Sequence, residues 1–551
     1  MGMLWSNLIC LWWRPEEARN PEGVEISGTI LAHEYGSPPM KEKHPVDIAP
    51  QLSTPEPCSM ELRLMIEVPV ATPTSILVNE KHWALSDPFP VDDQASPPPY
   101  ICASYVWGSG RVQNPIHQSL TMSDRTLATF AAAARCLPGR PIWIDAFCVP
   151  VERAKKRATL ESLGFLFARA AAVVSVLAPS SLAAVERMAA FLVLKPRSAD
   201  VPSEPIAVLE ADEWIRSVWT YQELVNCKEL WFVCNARECS VPDSGDGKAF
   251  TGNDLFSVVG EYLDRWGRSE RTAQGKRLFG IRQLYPHADN FQELLADWRV
   301  AAYAQRSALQ IMSGMEERTN VSVANRFYSM IGALTVRPST RATDPSVEQL
   351  SERFMELCEE KGDYSFIFSL APRDPRPGRR WRPLPCVLKP LLTWHVFGEL
   401  LAGEKLDGGV LLKDVFVLAA VPRDPGGHSQ INGATEAFFR RWADNHALYR
   451  DVPVHAHSSL ILEEQGYRIL QTMNFEGDDS WYVTEIGVFY PLQKPLSRGQ
   501  VTVCVSRGVR WAFGAPAFGF FKSESDVEPE YIVGIFVGDM NVGIVTEFLL
   551  R

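Results

Sequence analysis

Between Tyr100 and Cys234, short apolar runs alternate with amphipathic stretches long enough for several helical turns, and no other feature constrains the fold as strongly. "YICASYV" reads as a strand. In "SDRTLATFAAAARCLPG", Ser123 can cap a helix, Leu127, Phe130, Ala131 and Ala134 share one face, and Pro138-Gly139 ends it. "PIWIDAF" reads as a second strand, followed by a helix from about Glu152 to Ala170. "AAVVSVLAP" is a buried strand, "SSLAAVERMAAFLVL" and "ADEWIRSVWTYQELV" are helical, and "KELWFVC" is a further strand. This alternation predicts right-handed crossovers and an α/β, doubly wound, mainly parallel sheet. Ligands meet such sheets at the carboxyl ends of the strands, near a switch in strand order. Trp107, Gly108 and Asp145 then fall on one rim.

At 551 residues the chain exceeds what one core usually supports. The texture predicts a lead-in with short strands and a proline-rich linker over residues 1–95, the alternating core over 96–240, and a helical extension over 241–370. A Pro/Arg-rich connection over 371–399 and a β-rich C-terminal domain over 400–551 complete it. Within the connection, "RDPRPGRRWRP" reads as a solvated loop between domains. A net charge of -11 argues against general nucleic-acid binding, which needs clustered cations. The 11 cysteines are odd in number and irregularly spaced, and no secretory leader is visible, so free thiols in a cytoplasmic protein are expected. Cys227, Cys234 and Cys239 cluster without a CxxC knuckle, so no metal site is predicted. His455 and His457 suit one face of a strand and read as a solvated pair. No apolar run is long enough for a membrane-spanning helix. "MGMLWSNLICLWWRP" reads either as a core-docking segment or as a weak lipid anchor, acylated at Gly2 in the pattern completed by Ser6, with Cys10 nearby.

"YICASYVWGSG", "PIWIDAFCVP" and "RSVWTYQELV" resemble, in order, the three signature blocks of the heterokaryon-incompatibility (HET) domain of filamentous fungi. The resemblance covers about residues 96 to 235, with looser similarity at "NRFYSMIGAL" and "GDYSFIFSL". Two departures stand out: Val149-Pro150-Val151 replaces an Ile-Asn-Gln-like triplet, and Asn325 stands where Asp is common. The resemblance implies a flavodoxin/TIR-like core acting in self/non-self recognition and cell-death signalling, through self-association or other death-signalling proteins. Some TIR domains cleave NAD, with an essential glutamate in a motif similar to Ser-x-Trp-Cys-x-x-Glu-Leu. "SVWTYQEL" places Glu223 at that glutamate and Trp219 at the tryptophan, which implies NAD as a substrate and no resident cofactor.

The residues support that chemistry separately. Cleaving the nicotinamide–ribose bond builds oxocarbenium charge on the sugar, which one carboxylate can stabilise. The nicotinamide departs neutral, so no general acid is needed. Glu223 is the candidate carboxylate, with Ser104, Trp107, Gly108, Asp145 and Trp219 as candidate NAD contacts. Trp107 would form a wall, and Gly108 with Gly110 a backbone cradle for phosphate. Each has a structural alternative. Trp219 and Leu224 suit the buried stripe of a helix, Glu223 a solvated position or a pair with Arg216, Asp145 a capping role, and Trp107 packing. A different small-molecule enzyme on a flavodoxin-like scaffold is the remaining alternative. Cys148 follows Asp145, but no nucleophile signature surrounds it.

Overall fold

The computed structural model describes residues 60–551, except 90, 92–96, 195–200, 236–248, 275–278, 301–304, 320–321, 336, 339–344, 424–432, 434, 441–461, 472, 496–500, 512–513, 522–529 and 541–542. Gly2, Ser6, Cys10, Cys58, Cys239, His455 and His457 lie outside the described residues, and the readings that rest on them with them.

The core sheet begins with β1 (Met65–Val68), β2 (Ile76–Val78) and β3 (Lys81–Leu85), then β4 (Ile101–Ser104). A small hairpin, β5 (Arg111–Gln113) and β6 (Thr121–Ser123), stands apart from it. β7 (Ile142–Trp143), β8 (Ala172–Leu177), β9 (Leu230–Cys234) and β10 (Phe250–Thr251) complete the sheet, in the order β10-β9-β8-β4-β7-β1-β3-β2. β4 runs parallel to β7, with Ile101 opposite Ile142, and parallel to β8, with Ser104 opposite Ser175. β8 runs parallel to β9. All four strands are apolar and almost fully buried, as a strand covered on both faces must be.

The expectation of a mainly parallel sheet needs correcting. β1, β2 and β3 add an antiparallel flank beside β7, and β10 pairs antiparallel with β9, so the sheet is mixed. The parallel rule reaches only strands joined by helical crossovers. β2 and β3 are joined instead by the two-residue turn Asn79-Glu80, both residues left-handed at φ 50° and 63°.

The helices between these strands are α1 (Thr126–Cys136), α2 (Asp145–Cys148), α3 (Arg153–Glu161), α4 (Leu163–Arg169), α5 (Pro179–Leu194), α6 (Glu204–Glu210), α7 (Glu213–Arg216) and α8 (Trp219–Val225). Two predicted single helices are broken. Ser162 separates α3 from α4, its hydroxyl donating back to the Ala158 carbonyl at 2.6 Å. Ser217 takes an extended conformation between α7 and α8 and bridges to Thr319. Ser123 does not cap α1. Arg125 holds the N-cap position, and the Ser123 hydroxyl donates to the Trp107 carbonyl at 2.5 Å.

The helical stretch beyond the sheet contains α9 (Gly252–Gln274), α10 (Phe279–Leu284), α11 (Pro286–Val300), α12 (Ala308–Met315), α13 (Val323–Leu334) and α14 (Val347–Lys361). The arginine-rich run that follows is only partly solvated. Arg376 and Arg379 stay at the surface on Asp374, but Arg382 is 3% exposed and pairs with Glu352 at 2.8 Å and Glu359 at 2.7 Å. Trp381 is buried beside it. The run docks as a folded segment rather than a free linker.

The C-terminal region is β-rich: β11 (Phe397–Gly398), β12 (Gly403–Leu406), β13 (Gly409–Pro422), β14 (Tyr482–Val483), β15 (Gly487–Pro491), β16 (Val501–Ser506), β17 (Val509–Arg510), β18 (Ala515–Phe521), β19 (Glu530–Gly538) and β20 (Val545–Leu550). Antiparallel pairings run β13-β14-β15-β19-β18-β16 and return to β13, so these strands close into a barrel. Alternate residues along them, including Phe416, Leu418 and Ala420 on β13 and Val501, Val503 and Val505 on β16, form a separate apolar cluster that fills it.

Candidate functional site

Ser104 is the last residue of β4, and Asp145 opens α2 directly after neighbouring β7. Because β4 and β7 are parallel, the two side chains emerge at the same sheet edge. The chain leaves β4 through Trp107, whose indole N–H donates to Asp145 Oδ2 at 2.7 Å. Asp145 Oδ1 accepts the Ala146 N–H at 2.7 Å, so the local contact and the rim contact are both made. Gly108 is left-handed at φ 61°. A Cβ there would lie 2.8 Å from Arg125 Cζ, so glycine both permits the turn and makes room for that guanidinium. Arg125 in turn reaches Glu213 Oε2 at 2.8 Å. Arg111 donates to the carbonyls of Gly108 at 2.9 Å and Gly110 at 2.8 Å, its guanidinium 5.4 Å from the centre of the Trp107 ring. The Asp124 carboxylate fills the space a Cβ at Gly110 would need, which works against a phosphate cradle there.

Glu223 lies on α8, partly buried. The Ser104 hydroxyl donates to Glu223 Oε2, and the Trp214 indole N–H donates to Ser104 Oγ at 2.8 Å. Glu223 is neither a solvated neighbour nor shown paired with Arg216. Burial pushes its carboxyl up to about 8; the Ser104 hydrogen bond opposes the rise and the Asp145 charge adds to it. Burial also raises Asp145, against the hydrogen bonds of Trp107, Tyr105 and Ala146. The Tyr105 hydroxyl shares a 2.9 Å hydrogen bond with Thr126. Burial holds the Cys148 thiol up at about 12, which makes it a poor nucleophile at neutral pH.

Ser104, Trp107, Gly108, Asp145 and Glu223 thus share one rim. Trp219, one turn before Glu223 on α8, stacks on Tyr328 of α13 with ring centres 6.4 Å apart and planes 15° apart. Sequence reasoning missed Trp214. A tryptophan in a helical run signals burial, and only the fold shows that its N–H needs an acceptor and finds Ser104. It also missed the groups that fix α8. Arg318 donates to the carbonyls of Ile215 at 3.2 Å and Ser217 at 3.1 Å and to Thr220 Oγ1 at 2.9 Å. Arg306 holds the other end, at Asn226 Oδ1 (2.6 Å) and the Val225 carbonyl (2.7 Å). Between them the Tyr221 hydroxyl donates to Asp297 Oδ2 at 2.9 Å. Among the described residues no His, Cys, Asp and Glu cluster could hold a metal ion, and no helix is long and apolar enough to cross a membrane.

Residues 100–223 match the family described as heterokaryon incompatibility protein (HET). This segment is a HET domain. Its bounds enclose the first two blocks and all of the third but Leu224 and Val225, ending on Glu223. Comparisons with curated proteins and with solved structures yield no match. The HET blocks meet side chain to side chain: the first supplies Ser104 and Trp107, the second accepts through Asp145, and the third through Glu223.

Proposed function

We propose that this HET-domain protein acts in fungal self/non-self recognition and programmed cell-death signalling, and that its TIR-like core signals by self-association. The observation that carries this reading is the mutual engagement of the three blocks. Their polar groups are spent on one another, as suits a rigid signalling unit. In chain order, the parallel strands lie second, first, third, fourth across the sheet, the sequence of a flavodoxin-like core, which supports the TIR-like architecture. The test is light scattering of the purified full chain over a concentration series, alongside induced expression in a filamentous fungus. Higher-order assembly and growth arrest, both lost in Trp107→Ala, are expected. A chain that stays monomeric throughout and leaves growth unchanged would overturn the proposal.

The paired carboxyls favour a second reading, NAD glycohydrolysis. The Asp145 charge adds to the rise of Glu223 at the strand ends, where a doubly wound sheet takes its ligands. Titratable groups so perturbed are functional candidates. Glu223 would face the developing oxocarbenium charge, and a cationic nicotinamide beside it would favour its ionised form. Since the free carboxyl titrates near 8, kcat/KM for nicotinamide release should climb as pH rises through that value. Incubation of concentrated protein with NAD, compared with Glu223→Ala, decides the matter. No release at any pH, or equal release by the variant, removes this reading and leaves the first intact.

A further inference from the structure

A groove of about 480 Å³ opens beyond the carboxyl ends of β4 and β8. Val106, Val176, Leu177, Ala207, Val208 and Ala211 give it apolar walls, and Trp214 forms part of its lining. That volume lies within the roughly 300–1,000 Å³ typical of small-molecule sites.

The charged groups on the lining are already engaged. Glu213 pairs with Arg125 at 2.8 Å, and Glu204 pairs with Arg187 at 2.9 Å. Asp212 accepts the N–H groups of Ala178 at 3.2 Å and Trp214 at 2.7 Å. An anion entering the groove would meet three carboxylates against one guanidinium, and a cation would find every carboxylate occupied. Thr129, Ser180 and Asn235 also line the groove, but one buried hydroxyl stands out. Ser181 lines the groove and is 1% exposed, and its hydroxyl has no hydrogen-bond partner among the described residues. A buried hydroxyl without a partner is costly, and a ligand that supplies one recovers that cost.

We propose that this groove binds an uncharged, mainly apolar small molecule carrying a single hydrogen-bonding group, which pairs with Ser181. The ligand would rest on Trp214, the residue whose indole N–H holds Ser104 against Glu223. The proposal does not rest on NAD cleavage or on self-association.

The probe is N-phenyl-1-naphthylamine, which is neutral, carries one N–H, and fluoresces in apolar surroundings. Titrated into the full chain, it should give a saturable rise in fluorescence. Ala207→Trp, which fills the groove from an exposed position, should weaken binding at least about tenfold. Ser181→Ala should weaken it about three- to tenfold, the range of one neutral hydrogen bond. Val70→Trp, at an exposed position outside the groove, should leave it unchanged. If Ala207→Trp fails to fold, Ala211→Trp, one turn further along the same wall, takes its place. Unsaturable binding, or unchanged affinity in the groove-filling variant, would overturn the proposal. Displacement of the probe by millimolar NAD would also overturn it, in favour of a nucleotide site.

Discussion

Replacing Glu223 by Gln preserves the shape of the side chain and an acceptor for the Ser104 hydroxyl, and removes the ionisation. In the fold that carboxyl titrates at about 8 against a reference of 4.5. The folded state therefore holds the proton more tightly than the unfolded chain. The stability this confers is complete below about 4.5 and is lost as pH rises to about 8. The full gap corresponds to a ceiling of roughly 5 kcal/mol. Glu223 keeps some contact with solvent, and screening there brings the expected difference to about 1–2 kcal/mol. Asp145 is raised too, but it is present in both proteins and largely cancels in the comparison. Thermal melts of wild type and Glu223→Gln across a pH series check the argument. The two should converge toward acid pH, and the variant's relative stability should grow as pH rises from about 4.5 to about 8 and level off above it. A constant offset across the series, or a wild type that gains on the variant with rising pH, would refute the assignment of a protonated, desolvated Glu223. If the glycohydrolase reading also holds, the same variant releases no nicotinamide while being more stable at alkaline pH.

Three further outcomes are expected. Trp107→Phe keeps the ring but leaves the Asp145 carboxylate without its indole donor, and should cost about 1–3 kcal/mol in thermal or urea unfolding. Gly164→Ala should abolish soluble expression or cost more than about 3 kcal/mol, because its Cβ would run into the Gly332 backbone carbonyl where α4 meets α13. Neither backbone can yield without moving a helix. Arg382→Met removes the guanidinium from Glu352 and from Glu359, which keeps Lys405 at 2.9 Å, and should cost about 1–3 kcal/mol, seen as a lower unfolding midpoint.

The parallel half of the core was legible because its strands are apolar but for Ser104 and Ser175 and are separated by helix-length amphipathic runs, a pattern that crossovers satisfy. The antiparallel flank was not. "MIEV", "ILV" and "KHWAL" are short and mixed in polarity, and the Asn79-Glu80 turn puts a glutamate where a left-handed hairpin position usually shows glycine. Ser123 misled for a related reason: its hydroxyl does accept a backbone N–H, that of Arg125 at 3.1 Å, but the helix starts only at Thr126, so Ser123 lies outside the cap position. For the site, strand ends predicted that Trp107, Gly108 and Asp145 share an edge. What spacing could not supply was the pairing, since neither a tryptophan N–H nor a serine hydroxyl announces its partner in a linear sequence.

The helix that carries Glu223 draws its fixed position from outside the matched HET segment. That segment ends on Glu223, one residue before α8 has passed Leu224 and two before it closes on Val225. The side chains that hold α8 come from beyond it: Arg306, Arg318 and Asp297, with exposures of 1%, 5% and 3%. Asp297 in turn accepts from Gln310 at 2.5 Å and bonds His395 Nε2 at 3.2 Å, so the network reaches the segment leading into the C-terminal strands. The described residues form one compact unit, in keeping with this interlocking. Cutting the chain after Glu223 would remove the Arg306 cap from the helix end and leave Tyr221 without Asp297, while the Ser104–Glu223 contact would lose the helix geometry that makes it. The three blocks therefore specify which groups meet at the rim, and the later helices specify that they meet there at all.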